Sequence, residues 1–143
     1  MSLAKYRILI VDDSEDDRFL LTRVLRKVAC CEVIGCVEDG QMAIDYLSGS
    51  GPYADRVLYP MPEVLLLDLK MPGVDGFDVL HWLGDQDFEG LQVIVLSSSF
   101  LPEDIAKTLT MGADHYLIKG EPEKTAASIE SFLKCSRIAV ESN

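Results

Sequence analysis

After Arg7 the chain runs through four aliphatic residues to Val11 and then stops at two acids, Asp12 and Asp13. A short, continuously apolar run predicts a strand covered on both faces, because a half-exposed strand would alternate with polar residues. Ser14 can cap a helix whose first turn holds Glu15, Asp16 and Asp17, and Leu20, Leu21, Val24, Leu25 and Val28 then recur at helical spacing. The same alternation repeats along the chain. Glu32–Val37 predicts a second strand, and Gln41–Leu47, with Ala43, Ile44 and Leu47, a short second helix. Val64–Leu67 predicts a third strand ended by Asp68, and Phe77–Leu83 a third helix after Gly73 and Gly76. Gln92–Leu96 predicts the fourth strand, followed by a helix that Pro102 opens and that ends near Gly112. His115–Ile118 predicts the fifth strand, and Pro122 starts a last helix carrying Ile129, Phe132 and Leu133. Five strands alternating with five helices predict an α/β fold, a parallel sheet with helices on both faces.

One connection breaks this rhythm. Ser48–Pro62, with Gly49, Gly51, Pro52 and Pro60 and the aromatics Tyr53 and Tyr59, is either a plain surface excursion or a recognition loop. The chain's 143 residues suit one domain, and the segment after Lys119 is long enough for one helix and a tail. A single domain over residues 1–143, with no output domain, is therefore expected.

Charge narrows the function classes. With 24 acids against 13 bases the net charge is −11, which argues against sequence-independent binding to nucleic acid or anionic lipid. No apolar run approaches the roughly 20 residues of a membrane helix, and the start, Met1-Ser-Leu-Ala-Lys-Tyr6, lacks a signal-peptide core. A soluble, cytoplasmic protein is expected. Cys30, Cys31, Cys36 and Cys135 are too few and too unevenly spaced for a disulfide framework, and read as thiols in a reducing compartment.

Candidate chemistry gathers at strand C-termini: Asp12 and Asp13, Asp68, Ser97 and Lys119. In an open α/β sheet that edge is where ligands bind, and in the order 2-1-3-4-5 the first and third strands flank the crevice. Carboxylates brought together there repel one another unless a cation sits among them, and hard oxygen ligands suit Mg²⁺. A carboxylate beside Mg²⁺ can also attack phosphorus, while a hydroxyl and an ammonium are the donors that incoming phosphoryl oxygens need.

The segments Ile8-Leu-Ile-Val-Asp-Asp13, Leu65-Leu-Leu-Asp-Leu-Lys-Met-Pro-Gly73, Val93-Ile-Val-Leu-Ser97 and Tyr116-Leu-Ile-Lys119 resemble the CheY-like receiver domain of two-component response regulators, over about residues 6–135. The resemblance implies a doubly wound five-stranded sheet of order 2-1-3-4-5 and a phosphoacceptor rather than an enzyme. It implies phosphorylation of Asp68 from the phosphohistidine of a sensor histidine kinase or hybrid kinase, and Mg²⁺ held by Asp12, Asp13 and Asp68. Ser97 and Lys119 would engage the phosphoryl group, and Tyr116 would turn inward to repack the face of helix four, strand five and helix five. A downstream protein target or a second copy would dock there. Lys70, Ser98 and Ser99 sit where members vary and tune the lifetime of the phosphoryl group. The long loop and compact ending resemble small stand-alone receivers that work with phytochrome-type and other hybrid kinases.

Members commonly carry proline after the strand-five lysine, joined by a cis bond, where this chain has Gly120. A cis bond to a non-proline residue costs about 2.5–4 kcal/mol, so a trans bond or an altered loop is expected. Taken singly, Asp12 and Asp13 read equally as helix N-terminal acids, Ser97 as a cap, Lys119 as a surface lysine and Tyr116 as a half-buried aromatic. His81 and His115 read as structural or exposed, and Trp82 as a helix-face anchor. Two rivals share parts of the pattern. A Mg²⁺-dependent phosphohydrolase of the haloacid-dehalogenase type needs a second acid two residues after its nucleophile, where Lys70 stands. A flavodoxin-like nucleotide binder needs a phosphate-cradling loop after strand one, where the acids of Asp12–Asp17 would repel phosphate.

Overall fold

Each apolar run forms its strand, and each amphipathic segment covers one side of the sheet they build. The computed structural model describes residues 5–141, with side chains to Ser136, so Met1–Ala4 of the chain start lie outside the described residues. The elements are β1 (Tyr6–Val11), α1 (Glu15–Leu25), β2 (Cys31–Val37), α2 (Gly40–Ser48), β3 (Val64–Leu67), α3 (Gly76–Leu83), β4 (Gln92–Ser97), α4 (Pro102–Thr110), β5 (His115–Ile118) and α5 (Pro122–Glu141). The strands pair in parallel in the order β2-β1-β3-β4-β5, which is the expected doubly wound topology.

Strands that looked uniformly apolar split their side chains by alternation. Ile8, Ile10, Leu66, Ile94 and Leu96 face one cluster with Leu21 and Leu25 of α1 and Ile129 and Leu133 of α5. Leu9, Val11, Leu65, Leu67, Val93 and Val95 face the other, with Ala43 and Leu47 of α2 and Val79 and Leu80 of α3. Two cores, one on each face, are why β1, β3 and β4 do not alternate in sequence.

Element bounds move by a residue or two where capping decides. α2 and α3 begin on Gly40 and Gly76, because Asp39 accepts from the Met42 amide at 2.7 Å and Asp75 from the Asp78 amide at 2.9 Å. α1 stops at Leu25, so Val28 lies in the following turn and packs from there. β4 runs on to include Ser97, and α4 stops at Thr110 rather than near Gly112. Gly76 is required by close approach: a Cβ there would overlap the Asp68 carbonyl oxygen and the Leu69 Cα.

The long connection after α2 is an ordered loop. Tyr46, Tyr53 and Tyr59 meet in a triangle of one tilted and two edge-to-face pairs, with ring centroids 5.0, 5.9 and 5.0 Å apart, around a 3₁₀ turn over Gly51–Ala54. Arg56 reaches back to donate to the Tyr46 carbonyl at 2.7 Å, which also accepts from the Gly49 amide, and to the Leu47 carbonyl at 2.9 Å, in the last turn of α2. No helix among the described residues is long and apolar enough to cross a membrane, and no described peptide bond is cis, that before Gly120 included.

Candidate functional site

β1 and β3 are neighbours in register, Val11 opposite Leu67, so the residues immediately after them emerge side by side at one sheet edge. The Asp68 amide donates to the Val11 carbonyl at 3.0 Å, which carries the pairing into the acids themselves. As a result Asp12, Asp13 and Asp68 each offer an oxygen within 4.8 Å of the others. Asp12 and Asp68 are buried, and Asp13 is exposed. The Asp12 carboxylate also accepts from the Ser14 amide at 2.9 Å, and its carbonyl from the Arg18 guanidinium at 2.7 Å.

Lys119 enters the cluster from the end of β5. Its main-chain amide donates to the Ser97 carbonyl at 2.8 Å, extending the β4–β5 pairing by one residue. Its ammonium lies 2.8 Å from Asp12, 2.9 Å from Asp17 and 3.3 Å from Asp68. Burial alone would lower its pKa, but hydrogen bonds to Asp12 and Asp17 and the Asp68 charge outweigh it, and the ammonium is held above its usual range. Burial pushes the Asp68 carboxyl up to about 6, with the Asp12 charge adding to the rise and Lys119 partly offsetting it. The site thus carries more negative charge than one lysine neutralises. An all-oxygen set with two buried members and this excess charge fits a hard divalent cation such as Mg²⁺.

The remaining candidates lie around the β4–α4 loop and Asp104. Ser97 is fully buried, and its hydroxyl accepts from the Ser99 amide at 3.2 Å. The Ser99 hydroxyl donates to Asp104 on α4 at 2.6 Å, and the Tyr116 hydroxyl donates to the Ser99 carbonyl at 2.8 Å. Lys70 is exposed, 3.8 Å from Asp104 and 5.7 Å from the centre of the Phe77 ring, and Ser98 is exposed. A cation at Lys70 supplies no general acid two residues after Asp68, as a phosphohydrolase of the rival type would need. His115 stacks on Phe132 at 4.7 Å, Trp82 lies 5.8 Å from Phe88, and His81 is exposed, so none of them joins the site.

Two members escaped the sequence. Asp17 reads in sequence as one of three acids in the first turn of α1, which the helix dipole already explains. Asp104 had no signal, because its contact depends on the path of the β4–α4 loop.

The family described as response regulator receiver domain matches residues 8–130. Response regulator Rcp1 of Synechocystis sp. is 31% identical over 130 residues, covering 87% of this chain and 86% of Rcp1. Among solved structures, the phosphorylated cyanobacterial phytochrome response regulator RcpA superposes with a TM-score of 0.76 at 28% identity, over 92% of both chains. The Mn²⁺-bound form of Rcp1 does so with 0.76 at 30% identity, over 90% of this chain and 94% of that one. The chain also matches protein-glutamate methylesterase/protein-glutamine glutaminases of Geobacter sulfurreducens and Trichodesmium erythraeum, of whose length it spans only 28% and 36%.

Proposed function

The chain belongs to the response regulator receiver family of two-component signalling, and on that premise we propose that it is a phosphoacceptor switch that takes a phosphoryl group onto Asp68. The observation that carries this reading is the placement of Asp68: buried at the end of β3, among two further carboxylates and 3.3 Å from the Lys119 ammonium. In the transfer, the P–N bond of a kinase phosphohistidine breaks and a P–O bond to an Asp68 oxygen forms, while the imidazole nitrogen keeps the electron pair. Asp12, Asp13 and Asp68 would hold Mg²⁺, which when bound supplies charge neutralisation for the crowded carboxylate and phosphoryl oxygens. Lys119 is placed to pair with the oxygens added at Asp68, and the Ser97 hydroxyl to donate to one of them once it leaves the Ser99 amide. Catalysis is confined to the protein's own phosphorylation and dephosphorylation.

The output runs through the hydrogen bonds around Ser99. Moving the Ser97 hydroxyl disturbs the loop segment whose carbonyl holds Tyr116 and whose hydroxyl holds Asp104, so α4 and β5 are biased together. Lys70, Ser98 and Ser99, on the two loops flanking Asp68, set the phosphoryl lifetime. The β4–α4 loop, α4 and β5 carry the exposed apolar side chains Phe100, Leu101, Leu109 and Ile118, a surface suited to a downstream protein or a second copy. A histidine or hybrid kinase is the donor, and likeness to RcpA supports a phytochrome-type one.

Incubation of the protein with acetyl phosphate and Mg²⁺ should add the mass of one phosphoryl group, removable by hydroxylamine. The adduct should be absent from Asp68→Ala and from reactions with excess chelator. A labile adduct on Asp68→Ala contradicts the assignment, and formation without divalent cation contradicts the role of Asp12 and Asp13.

A further inference from the structure

The Lys119 ammonium has three N–H donors and meets three carboxylates, Asp12 at 2.8 Å, Asp17 at 2.9 Å and Asp68 at 3.3 Å. Two of these partners belong to the cluster suited to a cation, and Asp17 does not. A divalent cation drawn to Asp12, Asp13 and Asp68 competes with the ammonium for Asp12 and Asp68 and repels it. A cleft of about 120 Å³, lined by Asp12, Asp17, Leu20, Leu96, Lys119 and Pro122, opens beside it, and nothing lies within 4 Å of a Cβ placed on the adjoining Gly120. The lysine main chain is fixed through the Ser97 carbonyl, so a displacement of the ammonium has to come from the side chain. Asp17 presents its carboxylate from the capped first turn of α1, where its main-chain amide donates to the Ser14 hydroxyl at 3.2 Å.

We propose that Asp17 is a positioning residue for phosphoryl transfer, whose carboxylate keeps the Lys119 ammonium beside Asp68 when a cation claims its other two partners. The proposal rests on the phosphoacceptor reading for its kinetic consequence but not for its structural one.

Two measurements test it on the full chain. In ¹⁵N-lysine NMR the Lys119 ammonium resonance should persist at saturating Mg²⁺ in the wild type and in Asp17→Glu, and be lost to exchange in Asp17→Asn. Phosphorylation by phosphoramidate, at Mg²⁺ saturating for each variant, should slow about tenfold in Asp17→Asn, recover in Asp17→Glu and be unchanged in Asp16→Asn. Asp16, exposed and one position earlier, controls for the lost charge. Persistence of the resonance in Asp17→Asn with Mg²⁺, an unchanged rate, or equal slowing in Asp16→Asn overturns the proposal. If the wild type takes up no phosphoryl group, the phosphoacceptor reading fails, while the resonance still decides the tether.

Discussion

A carboxylate in the position of Asp68 is a conflict between folding and function. Its folded pKa of about 6 stands above the roughly 3.9 of an unfolded aspartate, so between those values the folded state binds the extra proton. Stability of the metal-free protein therefore falls as pH rises through that window, by an amount on the order of 3 kcal/mol. Asp68→Asn removes the charge and should be the more stable protein above about pH 6, with the gap closing towards about pH 4. Urea unfolding across that range checks this, and a gap independent of pH contradicts it. Asp68 was legible in the sequence because an acid that ends a fully apolar strand has no other reason to be there, and Asp12 and Asp13 because they fall at the same sheet edge as Asp68, Ser97 and Lys119. Asp17 was not, since an acid in a first helical turn is already explained by the helix dipole.

Among elements, the strands were legible almost to the residue, because continuous runs such as Val64–Leu67 leave no other choice for a doubly covered sheet. The helix bounds slipped where an aspartate cap, Asp39 or Asp75, recruited a glycine into the first turn. The loop after α2 was legible only as a loop, since nothing in the spacing of Tyr46, Tyr53 and Tyr59 says that their rings meet. Its order rests on Arg56, which ties it to the C-terminal carbonyls of α2. Arg56→Ala should cost about 2 kcal/mol, since its charged hydrogen bonds to the Tyr46, Leu47 and Tyr59 carbonyls are lost. Amide exchange should quicken over residues 50–60 and stay unchanged in β1 and β3; uniform quickening across the sheet would show instead that the loop and the core unfold together.

For the molecule as a whole, the surplus of acids acquires a partial purpose. Asp12, Asp13, Asp17 and Asp68 converge on one sheet edge with the Lys119 ammonium among them, and the topology that brings them there is fixed by the order of apolar runs. The two cores pack the strands that end at this edge, and the Tyr116 hydroxyl is bonded to the β4–α4 loop through the Ser99 carbonyl. The account stands on Asp68 as the acceptor. Borohydride trapping tests this most directly, because it reduces an acyl phosphate to an alcohol and so converts a phosphorylated aspartate to homoserine. After reaction with acetyl phosphate and Mg²⁺, peptide mass mapping should find homoserine at position 68 and at no other aspartate. Homoserine at Asp12 or Asp13, or none at position 68 despite an added phosphoryl mass, would contradict the account.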